Sequence, residues 1–293
     1  MLEFTREGML NLTRELVRIR SVSHTAGENE AADAIFSLLA KEDYFRDHPE
    51  FLRFLPVEEG GLQRRAVLAF VEAGEPVSRT VLLNGHFDVV DTDVCGDLAD
   101  LAFDADAYTA AIGRRDIPEE AREDLASGNW LFGRGVMDMK AGLAVHMAYL
   151  AHMARHRDEL GVNLLFLAVP DEEGSSVGMR GSLSGLCGFI RERRLDLVAA
   201  LSGEPAFWTS KTTGESRPHR VLFTGTTGKI MPLFFCIGRE AHVGYAFDGV
   251  NAAAIAARVV CLMDACPDLI DGSGPDTLTP PVCLKLKDLR DTY

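Results

Sequence analysis

Apolar residues along the first two-thirds of the chain follow two rhythms, and their alternation sets the fold class. Met9, Leu12, Leu16, Val17 and Ile19 recur at helical spacing, which predicts an amphipathic helix over residues 4–20. A Ser/His/Thr/Gly stretch, 21–27, breaks it. A second helix is predicted over 28–41, with Ala31, Ala34, Ile35 and Leu38 on its inner face. Residues 66–72 and 80–84 are short apolar runs bounded by Gly, Pro or charge, the mark of buried strands. A mostly apolar helix follows over 141–156, then apolar strands over 163–169 and 195–201. Such alternation predicts an α/β fold with a mainly parallel central sheet flanked by helices.

The pattern changes twice. Residues 91–130 are rich in Asp, Glu and Ala and weakly periodic, with a short surface helix predicted at 118–125. Connections this long are usually functional or mobile. Past residue 212 two strands, 220–224 and 229–237, are predicted around the 225–228 turn, followed by a helix over 251–263. That is an α+β pattern. The expected division is a domain over 1–212 and a smaller α+β domain over 213–293.

A chain of 293 residues can bury a sizeable core without disulfides. Its cysteines (95, 187, 236, 261, 266 and 283) form no C-x-x-C pair, so free thiols in a reducing compartment are expected. The net charge of −14 argues against nucleic acid and against an anionic membrane surface. The N-terminus lacks the apolar core of a signal peptide, and no stretch approaches the roughly 20 apolar residues of a membrane helix. A cytoplasmic protein is expected, with neither nucleic acid nor membrane as partner.

Four clusters carry the candidate chemistry. The first is Gly85-His86-Phe87-Asp88, where an extended chain points His86 and Asp88 the same way. The second, Gly133-Arg134-Gly135-Val136-Met137-Asp138-Met139-Lys140-Ala141-Gly142, puts Asp138 in a loop just before a helix. The third, Pro170-Asp171-Glu172-Glu173-Gly174, sets three carboxylates directly after an apolar strand. The fourth is Ser202-Gly203-Glu204-Pro205, again after an apolar strand. Singly each has a bland explanation: a surface histidine, a helix-capping aspartate, a solvated acidic turn. Together they place at least three clusters at predicted strand C-termini, where open α/β sheets bind ligands. One His with several carboxylates suits two divalent ions bridged by a carboxylate.

These motifs, G-H-x-D, G-R-G-x-x-D-M-K, D-E-E-G and G-E-P in this order, resemble those of the acetylornithine deacetylase, succinyl-diaminopimelate desuccinylase and aminoacylase family of zinc metallopeptidases. The resemblance spans about residues 10–260. The acidic insert before Gly133, with Asn129-Trp130-Leu131-Phe132, resembles the arginine-utilisation branch of that family. It implies two zinc ions per complete subunit, with cobalt or manganese as alternatives. His86 and Glu204 would bind the first, Glu173 the second, and Asp138 would bridge them. Glu172 would be the general base and Asp88 would orient His86. Residues 238–252 resemble the family's lid or dimerisation domain, in which His242 would polarise a substrate carbonyl across a homodimer. The implied function is hydrolysis of an amide bond in an N-acyl amino acid or small peptide. The alternative is a catalytically silent metal-binding relative or fragment that serves as an interaction module.

The family's final His ligand has no counterpart, since no His follows His242. A C-terminally truncated catalytic domain is therefore expected, one that binds at most one metal firmly and shows little or no amide hydrolysis. His152 and His156 lack the Glu of H-E-x-x-H and are expected to be solvated. His24 is expected to be a turn residue. Arg134, Arg180 and Arg239 are candidates for a substrate carboxylate.

Overall fold

The computed structural model describes residues 1–57, 63–205, 222, 224, 233–264 and 266. The chain divides into two units, Met1–Leu222 and Phe223–Tyr293. The expected boundary at 212/213 lies outside the described residues.

The first unit is built on five strands: β1 (Leu52–Val57), β2 (Arg64–Val71), β3 (Arg79–His86), β4 (Asn163–Val169) and β5 (Asp196–Ser202). Their order is β1-β2-β4-β3-β5. β3 pairs in parallel with β4 and β5, whereas β2 is antiparallel to both β1 and β4. The α/β sheet flanked by helices is as expected, and it is mixed, with its parallel half on the side of the acidic motifs. Val169 is level with His86 and Ser202 with Asn84, so β4, β3 and β5 end at one edge. β2 runs the other way and begins at that edge, with Arg64. Every residue of β4 is buried, which explains its unbroken apolar run. β5 is exposed along its length.

The unit's helices are α1 (Arg6–Val17), α2 (Gly27–Ala40), α3 (Asp43–Asp47), α4 (Ala105–Ile112), α5 (Glu119–Ser127), α6 (Ala141–Arg155), the single turn α7 (Glu172–Ser175) and α8 (Val177–Arg193), and α2, α6 and α8 pack on the strands. Thr5 starts α1 by accepting the Gly8 N–H at 3.0 Å, and Leu12, Leu16 and Val17 turn inward at the predicted spacing. α2 and α8 cover opposite faces. Phe36 of α2 stacks on Phe54 with ring centroids 4.3 Å apart, while Gly185 of α8 meets Leu55, the next residue of β1. α6 packs on α1 and on β2, β3 and β4.

The predicted helices and strands of 1–205 all form. The apolar pattern does not show β1, α3, α4 and α8. In the second unit, α9 (Ala252–Met263) matches the predicted helix, with Asn251 capping it through the Ala253 and Ala254 N–H groups. The predicted strands 220–224 and 229–237 lie largely outside the described residues; the described parts, 222, 224 and 233–237, are not strand. Cys95, Cys187, Cys236, Cys261 and Cys266 are free thiols, as expected, and Cys283 lies outside the described residues. No described helix is long and apolar enough to cross a membrane.

Candidate metal centre

His86 ends β3 with its side chain 1% exposed. Its Nδ1 faces the Asp88 carbonyl at 3.0 Å and Asp88 Oδ1 at 3.3 Å. A proton on Nδ1 is therefore held by acceptors, which leaves the Nε2 lone pair of the neutral ring free. That Nε2 lies 3.0 Å from Asp138 Oδ1 and 3.6 Å from Glu204 Oε1. A lone pair aimed at two carboxylates is repelled unless a proton or a cation stands between them.

Asp88 is fully buried and its two oxygens are well supplied with donors. Oδ1 accepts the Glu172 N–H at 3.0 Å; Oδ2 accepts the Glu173 N–H at 3.2 Å and the Ser23 hydroxyl at 2.7 Å. One carboxylate thus ties the end of β3 to the acidic turn that follows β4. Burial pushes its pKa up, but these donors and His86 outweigh burial and hold it below the ordinary value.

Asp138 precedes α6 in a short irregular turn, with a cis peptide to Met139. Lys140 anchors that turn to the end of α1: its buried ammonium donates to the carbonyls of Leu16 (3.0 Å) and Ile19 (2.8 Å). Burial pushes Lys140 down to about 7, opposed by the charge of Asp88. On the other side, α6 approaches β5 backbone to backbone. A Cβ on Gly142 would stand 2.0 Å from the Gly203 carbonyl oxygen. The glycines therefore set how closely Asp138 and Glu204 approach each other.

One ligand atom from each of His86, Asp138 and Glu173 falls within 4.8 Å of the others. Glu204 joins through the His86 contact. One imidazole and three carboxylates fit divalent ions. The electrostatics agree. Burial lowers His86, but hydrogen bonds to Asp138 and Asp88 and the charges of Asp88 and Glu204 dominate, raising it to about 10. Burial first, then the charges of Asp138 and Glu172, push Glu204 up to about 7. Glu173 is raised by burial and by Asp138, whereas the His86 hydrogen bond lowers Asp138. Without a cation, the cluster favours protons where ions would sit. A pocket of about 280 Å³ opens beside it, lined by His86, Glu172 and Glu204 together with Asn84, Val169 and Met179 among others.

Six sequence-identified residues, His86, Asp88, Asp138, Glu172, Glu173 and Glu204, therefore meet at one sheet edge. His242 belongs to the second unit, where its Nδ1 accepts the Gly244 N–H at 3.1 Å. His156 Nδ1 bonds the His152 carbonyl at 2.8 Å, and the two rings lie against each other at 4.3 Å, away from the centre. His24 is a turn residue as expected, with φ 66°, but its Nε2 also lies 3.4 Å from Asp171 Oδ1. Arg134 and Arg180 are not among the described residues lining the pocket, and Arg239 belongs to the second unit. Ser23, Glu28 and Arg64 are not identifiable from the sequence. Each sits far from the motifs in the chain and carries no spacing signal. Burial, with the charges of Asp88 and Asp171, pushes Glu28 up to about 7 against the pull of Arg64.

Comparison with known proteins agrees with this geometry. The sequence model of Peptidase family M20/M25/M40 matches residues 82–281, which contain all four motifs. Protein RocB of Bacillus subtilis (strain 168) is 32% identical over 282 residues, covering 96% of this chain and 49% of RocB. The uncharacterized protein YqjN of the same organism is 34% identical over 291 residues, covering 99% of this chain and 51% of YqjN. A succinyl-diaminopimelate desuccinylase of Methylorubrum extorquens is 32% identical over 150 residues, 51% of this chain and 36% of that protein. The chain spans about half the length of RocB and YqjN. With the family model covering most of its length and the motif residues converging on one cluster, the chain belongs to Peptidase family M20/M25/M40.

Proposed function

We propose that this chain carries the metal-binding and proton-transfer apparatus of a hydrolase that cleaves the amide bond of an N-acyl amino acid or small peptide. The observation that carries the reading is His86, whose Nδ1 is anchored on Asp88 and whose Nε2 is turned onto Asp138 and Glu204. His86 and Glu204 would hold a first ion, Glu173 a second, and Asp138 both. Zinc is the favoured ion, with cobalt or manganese as alternatives, because carboxylate-rich sites discriminate poorly. Ions bound there supply Lewis acidity toward a carbonyl oxygen and acidify water.

The protein's own residues complete the reaction. Asp88 keeps the His86 ring in one tautomer and orientation. Glu172 faces the pocket, and its backbone N–H is fixed on Asp88. From there its carboxylate takes a proton from the attacking water and delivers it to the leaving amine. The resemblance of residues 238–252 supports homodimer formation through the second unit, with His242 polarising the substrate carbonyl. The resemblance of the 91–130 insert supports arginine utilisation in the cytoplasm as the setting.

The test is a zinc titration of metal-free chain with a parallel screen of N-acyl amino acids and dipeptides. Zinc binding with turnover supports the proposal. Zinc binding without turnover on both this chain and a longer form favours a silent metal-binding relative, and absence of zinc binding overturns both.

A further inference from the structure

Asp171 heads the acidic turn, yet the proposed chemistry gives it no part. It is fully buried, and its carboxylate joins three elements. Oδ2 accepts the Val177 N–H at 3.3 Å, at the start of α8. Oδ1 lies 3.3 Å from Arg64 Nη1 and 3.4 Å from His24 Nε2. The Arg64 side chain is only 2% exposed and also pairs with the fully buried Glu28, at 3.5 Å.

The sheet register brings Arg64 to this place. Val67 of β2 stands opposite Ala168 of antiparallel β4. The path back along β2 to Arg64 and the path forward past β4 to Asp171 cover the same number of residues, so the two arrive level at the edge. The turn between them is sharply constrained. Asp171 (φ 50°, ψ 44°) and Ser176 (φ 55°, ψ 31°) bracket it in the left-handed region. Within it, a Cβ on Gly174 would stand 2.3 Å from Asp171 Oδ1 and 2.6 Å from His24 Nε2. Two non-glycine residues at positive φ persist only where surrounding contacts over-determine the conformation. Those contacts come from two sides. Asp88 takes the Glu172 and Glu173 N–H groups, and Arg64 Nη1, which donates to Glu28, stands in ion-pair contact with the Asp171 carboxylate. Removing Arg64 would leave the buried Asp171 and Glu28 carboxylates without the cation they share.

We propose that Arg64 is a positioning residue: through its ion pair with Asp171 it locks the 171–176 turn in the conformation that presents Glu172 and Glu173 to the centre. The consequence for catalysis rests on the roles proposed above for those two glutamates; the lock itself does not.

Hydrogen–deuterium exchange of the whole chain, followed by mass spectrometry, tests the lock in Arg64→Gln, Arg64→Lys, Asp171→Asn and the Arg64→Gln/Asp171→Asn double variant. Amides of residues 171–177 should exchange at least about ten-fold faster in Arg64→Gln and in Asp171→Asn, with α1 and α6 unchanged. Arg64→Lys should recover part of the protection, and the double variant should be no faster than the faster single one. Zinc held through Glu173 should weaken by about 10–100-fold in the same variants. Unchanged exchange at 171–177 in the folded variants, or equal acceleration throughout the chain, overturns the proposal. If Arg64→Gln does not fold, Arg64→Lys and Asp171→Asn decide on the same readout. Local acceleration with unchanged zinc affinity supports the lock and counts against Glu173 as a ligand.

Discussion

Replacing Gly142 with alanine tests whether backbone contact between α6 and β5 sets the metal centre. The added Cβ would lie 2.0 Å from the Gly203 carbonyl oxygen and 2.8 Å from its carbon. Cβ atoms do not approach backbone atoms closer than 3.0 Å, so helix and strand must part by about 1 Å. Asp138 lies just ahead of α6 and Glu204 just after Gly203, so the shift falls directly on the span between the two proposed ligands. The expected cost is about 1–3 kcal/mol of stability from overpacking. Displacing ligands by about 1 Å should also weaken zinc by about 10–100-fold. Competition with a chromophoric chelator measures the second effect and urea denaturation the first. Gly188→Ala is the control. It lies in α8 with nothing within 4 Å of its Cβ, so it should stabilise the chain by about 0.5–1 kcal/mol and leave zinc binding alone. If Gly142→Ala binds zinc as tightly as the parent chain, the α6–β5 contact does not position the ligands.

Glu172→Gln in an active form should lower turnover by about 100-fold or more with metal content unchanged, since the amide cannot accept a proton; parental turnover would remove Glu172 as the base. Asp138→Ala should lose both ions, whereas His86→Ala mainly weakens the first, as equilibrium dialysis with metal analysis would show; two tight ions retained without Asp138 would rule out a bridge. Zinc affinity should rise with pH between about pH 6 and pH 8, because an ion must displace protons from His86, raised to about 10, and Glu204, raised to about 7. An affinity independent of pH over that range would show that the ion displaces no proton.

Much of this centre is legible in the sequence because its ligands lie at strand ends or helix starts. β3, β4 and β5 each carry an apolar run followed, after two intervening residues, by His86, Glu172-Glu173 or Glu204, and parallel pairing does the rest. What is not legible depends on contacts between distant segments. Arg64 opens a strand whose pattern begins, by apolarity, only at Ala66. Only its antiparallel register with β4 brings it to Asp171. Helix α8 escapes the pattern because four glycines, Gly178, Gly181, Gly185 and Gly188, dilute its apolar stripe. At least one of them serves close approach: a Cβ on Gly178 would meet the Pro170 carbonyl oxygen at 1.7 Å. β1 escapes it for a related reason, since Arg53 and Pro56 interrupt its apolar run. Arg53 extends to Glu192 at the edge, and its guanidinium lies 4.9 Å from the Phe189 ring centre.

The acids at this edge fall into two groups that burial and donor supply separate, and the separation has a measurable sign. Asp88 and Asp171 are fully buried and held by hydrogen bonds or ion pairs from several elements. Asp138 and Glu204 keep side chains 49% and 42% exposed and share one histidine nitrogen. In the proposed function the first group orients and the second binds. In metal-free chain, Asp88 has a folded pKa below its ordinary value, so its contribution to stability is present at neutral pH and is lost as pH falls. Asp88→Asn should therefore destabilise the metal-free chain at about pH 8, by about 1.5–3 kcal/mol for lost hydrogen bonds to a charged group. Glu204 is the reverse. Its folded pKa is raised to about 7, so the stability it lends is present in acid and is lost as pH rises through 7. Glu204→Gln at the same pH should stabilise metal-free chain, by less than about 1 kcal/mol because solvent screens a half-exposed group. Urea denaturation of the two variants at that pH gives shifts of opposite sign if the division is right. Shifts of the same sign would show that Asp88 and Glu204 are held by the fold in the same way, and that burial and donors do not sort orienting acids from binding ones.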